Sequence, residues 1–368
     1  MNTYRPTWAE IDLNAIRHNY RTIKNKISKD VMIMAIVKAN AYGHGSVEVA
    51  KVFEDEKVSY LGVATLDEAL ALRDGGIKSS ILILGAGFST EVEAAYRNNI
   101  TLTLCNDELL NAIIQSGYKV KVHIKVDTGM GRIGVWHENA LDFIRKVKAY
   151  PNIEVEGIFT HFSIAGRDKD YTSYQINSFN NVINDLVKEK IDIPIKHAAN
   201  SIATIDWPDP NMNMVRPGLI LYGMYPKRDF PKKIQLRPTL ALKTKIVFIK
   251  DVEAGRSIGY GRTYIAAENT RIATLPIGYA DGYGRILSGK AEVIIKGHKY
   301  PVIGKVTMDQ TMVDIGNNKG IKVEDEVVLI GRQFLSEVKI GDLARQAGTI
   351  PYEIVTGITA RVPRKYIS

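Results

Sequence analysis

The feature that most constrains this chain is an alternation over roughly its first 220 residues, where short β-branched runs are separated by longer helical patterns. The runs are Val31–Val37, Tyr60–Ala64, Ser80–Leu84, Thr101–Cys105, Lys119–Val126, Val155–His161, Pro194–Ala198 and Met212–Arg216. Between them lie amphipathic stretches such as Ser46–Glu56, Leu66–Arg73 and Glu138–Ala149. Strands alternating with helices imply parallel pairing, because each return to the sheet is a right-handed crossover. Eight such units is the count that closes a (β/α)8 barrel. A doubly wound open sheet is the alternative, since closure leaves no mark in a single sequence.

After Pro238 the texture changes. Thr239–Val252, Arg271–Pro276, Ala291–Ile295, Thr311–Ile315 and Glu326–Ile330 are strand-like and joined by glycine-rich turns such as Gly278–Gly284. Only Lys339–Ala347 reads as a convincing helix there. The expected organisation is therefore α/β: an N-terminal (β/α)8 barrel over residues 1–237, then a mostly β C-terminal domain over 238–368. The boundary falls between Pro226 and Pro238, and 368 residues suit two domains of about 150 or more each.

Composition excludes several function classes. Hydrophobic residues at 45% and charged residues at 24% describe an ordinary globular protein with no need of disulfides or structural metal. The single cysteine, Cys105, lies in an apolar run and reads as a small buried hydrophobe. No apolar stretch reaches the ~18 residues of a membrane span, and the first residues lack the apolar segment of a signal peptide. A cytoplasmic protein is expected. The net charge of +9 comes from scattered residues, which disfavours nucleic acid and leaves anionic small substrates open. Its densest cluster, Lys227-Arg228 with Lys232-Lys233, falls among prolines and reads as a solvated loop.

Two glycine motifs mislead. Gly129-Met130-Gly131-Arg132-Ile133-Gly134 fits G-x-G-x-x-G, and Gly85-Ala86-Gly87 follows a strand. The first belongs to the fifth unit and carries an arginine where a pyrophosphate would approach; the second has Thr90 in place of its third glycine. Position says more. Barrel enzymes build their sites at the carboxyl ends of the strands, which here offer Lys38, Arg132, His161, Asn200-Ser201 and Arg216 with Gly218. Each alone would pass as a solvated or hydrogen-bonded residue; together they converge on one mouth. Phosphate commonly sits over the last two loops of such a barrel, where Ser201 and the Gly218 amide belong. A lysine on that floor can form a Schiff base with pyridoxal 5'-phosphate if burial keeps its amine deprotonated.

These residues lie in longer motifs. Ala35-Ile36-Val37-Lys38-Ala39-Asn40-Ala41-Tyr42-Gly43-His44-Gly45 closely resembles the cofactor-lysine motif of the alanine racemases. Lys125–Arg132, His197–Ser201, Val215–Gly218, Gly259-Tyr260-Gly261, Pro276–Tyr283 and Met308-Asp309-Gln310 resemble that family too, in order along nearly the whole chain. The resemblance implies that Lys38 anchors pyridoxal phosphate and acts as base on one face of the substrate. Tyr260, from the second subunit of a homodimer, would act on the other. Tyr42, Ser201, Gly218 and Tyr352 would hold the phosphate with the Asn200 and Leu219 backbone, and His161 would pack on the ring. Arg132 and the Met308 amide would hold the substrate carboxylate, Tyr279 would narrow the entrance, and Asp309 would be a supporting residue. Lys125 is either a carbamate that positions Arg132 or a strand lysine paired with a carboxylate. Thr307 stands where many relatives have cysteine.

Chemistry adds to two of these assignments. Racemisation requires acid and base on opposite faces of a planar carbanion, hence two groups arriving from different directions. Arg216 cannot deliver a proton at neutral pH, so a ring nitrogen facing it stays unprotonated and the carbanion is less stabilised. That suits proton exchange and disfavours transamination. The expected activity is interconversion of L- and D-alanine, supplying peptidoglycan precursor. A serine-preferring or broad racemase, a barrel-type decarboxylase and a non-catalytic pyridoxal-phosphate carrier are the alternatives. No metal, membrane or nucleic-acid partner is expected.

Overall fold

The computed structural model describes residues 4–208, 212–226, 230 and 233–368. Two compact units emerge, and they do not follow the chain in a single cut. One contains residues 16–41 and 46 to Leu236; the other contains the described residues up to Ala15, Tyr42–Gly45 and Arg237–Ser368. The first strand, β1 (Trp8–Asp12), is thus part of the β-rich unit and not of the barrel expected over 1–237, because it is hydrogen-bonded on both edges there. Of the basic cluster, Lys227, Arg228 and Lys232 lie outside the described residues; Lys233 is ion-paired with Asp206.

The barrel unit contains β2 (Met32–Ile36), β3 (Tyr60–Val63), β4 (Ser80–Ala86), β5 (Ile100–Leu104), β6 (Val120–Asp127), a short β7 (Val135–Trp136), β8 (Ile153–Phe159), β9 (Ile195–His197) and β10 (Met214–Val215). Parallel pairing runs from β2 through β3, β4, β5, β6, β8 and β9 to β10. The ring closes where Met214 meets Met32 and Val215 meets Ile33, with β7 attached outside on β6. Barrel strands are covered on both sides, and β3 and β5 are accordingly buried at every residue. Helices begin where polar caps dictate. Thr65 accepts from the Glu68 amide to start Leu66–Asp74, and Asn106 accepts from Leu109 to start Asp107–Ser116.

In the other unit Thr239–Val252 proves to be two strands, β11 (Leu240–Lys245) and β12 (Phe248–Val252). A hairpin of β13 (Ser257–Ile258) and β14 (Tyr264–Ile265) follows, then β15 (Thr270–Leu275), β16 (Glu292–Ile295), β17 (His298–Ile303), β18 (Thr311–Gly316), β19 (Glu326–Gln333), β20 (Ser336–Val338) and β21 (Arg364–Ile367). Their sheet runs β12-β15-β18-β17-β16-β19-β11-β1-β21, with β20 on β19. A second helix, Pro351–Thr356, joins Ile340–Ala347 and begins with proline in its first turn.

Candidate active site

Lys38 leaves the end of β2 under unusual backbone constraint. Val37 donates to the Gly62 carbonyl, and then Ala39, Asn40, Ala41 and Tyr42 all take left-handed conformations with φ of 51, 53, 52 and 53°. Such a conformation costs roughly 1–2 kcal/mol for each L-residue, so a run of four persists only where surrounding bonds enforce it. Ala39 N–H donates to Glu68 Oε1 at 2.6 Å, Ala41 N–H to the Val37 carbonyl at 2.8 Å and Ser46 N–H to Asn40 Oδ1 at 2.8 Å. Gly43 continues the turn at φ 80°, where a Cβ would lie 2.3 Å from the Val355 carbonyl oxygen. The half-buried Lys38 amine has no hydrogen bond or ion pair among the described residues. Burial lowers its pKa, Arg132 adds to the effect, and Glu68 opposes it.

Arg216 is 4% exposed and fully committed. Its guanidinium donates to the carbonyls of Thr160 (2.8 Å) and Ala198 (3.0 Å), to His197 Nδ1 (2.9 Å) and to His161 Nδ1 (3.2 Å). Burial pushes its pKa down to about 9, which leaves it charged at neutral pH. Because Arg216 only donates, His197 Nδ1 must accept, so its Nε2 carries the proton and donates to His123 Nδ1 at 2.8 Å. Burial, with Arg216 next, keeps both His197 and His161 well below the ordinary imidazole value, hence neutral. The chain ends at His123, whose Nε2 has no hydrogen-bond partner among the described residues and lies 3.7 Å from Glu156. His123, His197 and Glu156 received no role from the sequence. For His123 the signal is the alternation of Lys121, His123, Lys125 and Asp127 along β6, a polar face directed into a barrel.

Ser201 Oγ accepts from the Gly218 amide at 2.9 Å, which joins the two loops expected to hold phosphate. Buried Leu219 opens a short helical turn, and its N–H has no partner among the described residues. The Asn200 side chain braces the same loop: its Oδ1 accepts from the Ile202 and Ala203 amides just before the short helix Ala203–Asp206. Tyr42 and Tyr352 lie in the β-rich unit with ring centroids 5.6 Å apart, and burial raises the pKa of both phenols.

The loop after β6 disposes of its dinucleotide-like pattern. The Asp127 carboxylate accepts from the amides of Gly129, Met130, Gly131 and Arg132 at 2.8–3.3 Å, so the anion cradle is filled from within the chain. The guanidinium of Arg132 is left exposed with no partner among the described residues. Lys125 is 2% exposed and donates to the Val126 carbonyl at 2.7 Å. No carboxylate among the described residues forms an ion pair with it, contrary to the second of its two readings. Burial lowers its pKa to about 8, with Asp127 opposing and Arg216 and Arg132 contributing.

In the β-rich unit Tyr260 stands in the turn between β13 and β14, flanked by Gly259 at φ 75° and Gly261 at φ 72°, and is 73% exposed. Tyr279 and Met308 are also exposed and adjacent: the Tyr279 amide donates to Thr307 and the Ala280 amide to Met308. Thr307 closes that turn by donating its hydroxyl to the Gln310 carbonyl, a bond a cysteine would make weakly. The Met308 N–H has no partner among the described residues. Asp309 is anchored by Arg361 at 2.7 Å.

The barrel site therefore carries Lys38, Lys125, Arg132 and Arg216 against Glu68 and Asp127, whose oxygens are occupied by backbone amides. An orphan amide beside Ser201, a neutral imidazole and surplus positive charge fit a small aromatic phosphate ester and an anionic substrate. Family models agree in kind. The model described as alanine racemase, N-terminal domain, matches residues 11–226, and the alanine racemase, C-terminal domain, matches residues 239–366. An alanine racemase of Halothermothrix orenii is 46% identical, over 98% of this chain and 97% of its own. Among solved structures, the alanine racemase of Clostridium difficile 630 superposes with a TM-score of 0.94 at 43% identity, covering 100% of this chain and 97% of that one. The enzyme of Bacillus anthracis with bound L-Ala-P gives 0.94 at 39% identity, covering 100% and 96%.

Proposed function

The chain belongs to the alanine racemase family, and we propose that it interconverts L- and D-alanine by two-base proton exchange at Cα, with pyridoxal 5'-phosphate as cofactor. The observation that carries this reading is the barrel floor, where an amine eased toward its neutral form shares a site with a buried arginine bonded to neutral histidines. When bound, pyridoxal phosphate supplies an electron-withdrawing ring that makes the Cα proton removable. Lys38 would hold the cofactor and move the proton on one face. Tyr260, exposed on its hairpin, would be presented by the partner of a homodimer and move the proton on the other. Ser201 and the Leu219 N–H would hold the phosphate, with Gly218, whose N–H donates to Ser201 Oγ, shaping the loop. Arg132, with its guanidinium unengaged, and the Met308 N–H would grip the substrate carboxylate. Arg216 keeps its protons at neutral pH, so it would face the ring nitrogen without protonating it and would limit side reactions. The D-alanine so formed serves cytoplasmic synthesis of peptidoglycan precursor.

The test is direct. Purified protein supplied with pyridoxal phosphate should abolish the optical rotation of L-alanine, and in deuterium oxide both enantiomers should acquire deuterium at Cα. L-Serine in parallel measures side-chain preference. Retained rotation with L-alanine, together with loss of rotation in L-serine, would move the activity to a serine racemase; retention with both would end the racemase reading.

A further inference from the structure

Glu68 is the third residue of the helix Leu66–Asp74, whose cap is Thr65. A glutamate there ordinarily reaches back to the amide of the cap residue itself. This one does not. Its Oε2 accepts from Ala64 N–H at 2.7 Å, one residue beyond the cap, and its Oε1 accepts from Ala39 N–H at 2.6 Å, across on the neighbouring strand end. A single carboxylate thus ties the end of β2 to the end of β3, and the amide it takes on β2 is the one directly after Lys38. Ala39 is also the first of the four left-handed residues, where the chain would otherwise relax.

We propose that Glu68 is the positioning residue of the cofactor lysine: it locks the strained turn behind Lys38 and places one negative charge at the strand end that carries that amine. The inference rests on Lys38 being the anchor. Among the described residues, Arg132 disfavours the ammonium form of Lys38 and Glu68 favours it; His161, which senses the Lys38 charge, is neutral. Glu68 therefore tempers the loss of a proton that burial and Arg132 promote. Glu68→Gln keeps length and one acceptor oxygen, loses the charge, and sets an NH2 group against one of the two amides. Glu68→Asp keeps the charge but is one methylene short of both.

The measurements are hydrogen exchange at the Ala39 and Ala64 amides of the full-length protein, and the pH profile of Lys38 acylation, read by peptide mapping after the cofactor is stripped. Charge-assisted bonds of this kind protect strongly, so Glu68→Gln should exchange at least about tenfold faster at one of these amides. Its Lys38 profile should move to lower pH. Glu68→Asp should exchange faster at both amides while its profile stays nearer the parent's, which also serves if Glu68→Gln does not fold. Faster exchange with an unmoved Lys38 profile in Glu68→Gln would reduce Glu68 to a helix brace and overturn the proposal; unchanged exchange would overturn it as well. Failure of the underlying assignment looks different: borohydride reduction of the parent protein would then place the pyridoxyl group on another lysine.

Discussion

Replacing Lys125 with methionine should stabilise the protein at neutral pH and cease to do so in alkali. Lys125 is 2% exposed, its amine's one hydrogen bond goes to a carbonyl, and burial is the main reason its pKa falls from 10.5 to about 8. At about 1.4 kcal/mol per pH unit, holding it charged in the folded state costs on the order of 3 kcal/mol. Methionine removes that cost and strands the Val126 carbonyl, which returns about 1 kcal/mol, for a net gain of about 2 kcal/mol. The sign changes with pH. Below about 8 the lysine is protonated folded and unfolded, and the full penalty applies. Between about 8 and 10.5 the unfolded chain binds more protons than the folded one, so the wild type gains stability with pH and the difference shrinks. Above that range only the lost hydrogen bond remains. Paired urea unfolding curves at neutral pH, mid-range and pH 10 in bicarbonate-free buffer measure this. A difference that stays constant across the range, or a wild type already the more stable at pH 7, refutes the reasoning. Bicarbonate is the second arm. With a pKa of about 8, roughly one amine in ten is neutral at pH 7, against about one in three thousand for an ordinary lysine. Lys125 is thus the lysine prepared to take up CO2, and a carbamate facing Arg132 should raise wild-type stability and add the mass of one CO2 to its peptide.

Arg216→Glu gives the ring nitrogen a group that shares a proton, so a new long-wavelength absorbance and more transamination per turnover are expected; a variant as clean as the parent would contradict the role given to Arg216. In Asp127→Asn the four amides of the next turn lose their anion, which should cost about 2 kcal/mol of stability above pH 4 and nothing in acid, since those bonds hold the Asp127 pKa low despite burial. Arg132 rides on that turn, so the KM for alanine should rise more than kcat falls; an unchanged KM would detach Asp127 from Arg132. Lys38→Ala and Tyr260→Ala, each inactive alone, should recover about a quarter of wild-type activity after subunit exchange, because half of randomly paired dimers carry one intact site. A mixture that stays inactive while mass spectrometry shows exchange would put both residues in one chain's site.

Local chemistry written in the sequence reaches a definite depth. The alternation of β-branched runs and amphipathic helices determined eight parallel strands, because a buried strand between helices must be apolar on both faces. Motif order determined the family, and strand-end position picked out Lys38, Ser201, Arg216 and Gly218. Tertiary structure decided what depends on distance across the chain. β1 belongs with β11 and β21 because a strand's place in a sheet is defined by its partners, some 230 and 355 residues away, and its own five residues say nothing about which sheet claims them. The Gly129–Gly134 pattern looks like a phosphate cradle until Asp127 is seen to fill it. Arg216 becomes a fixed donor, and His197 and His123 acquire their tautomers, only when three strands bring the groups within hydrogen-bond reach. Lys125 reads as an ordinary lysine until its surroundings are known, since a pKa is set by burial and by the charges nearby, and neither is a property of the residue. The four left-handed residues after Lys38 are the extreme case. Only the asparagine in Ala-Asn-Ala-Tyr tolerates that backbone readily, and the run of four is held by bonds to Val37, to Ser46 and, from another strand's loop, to Glu68.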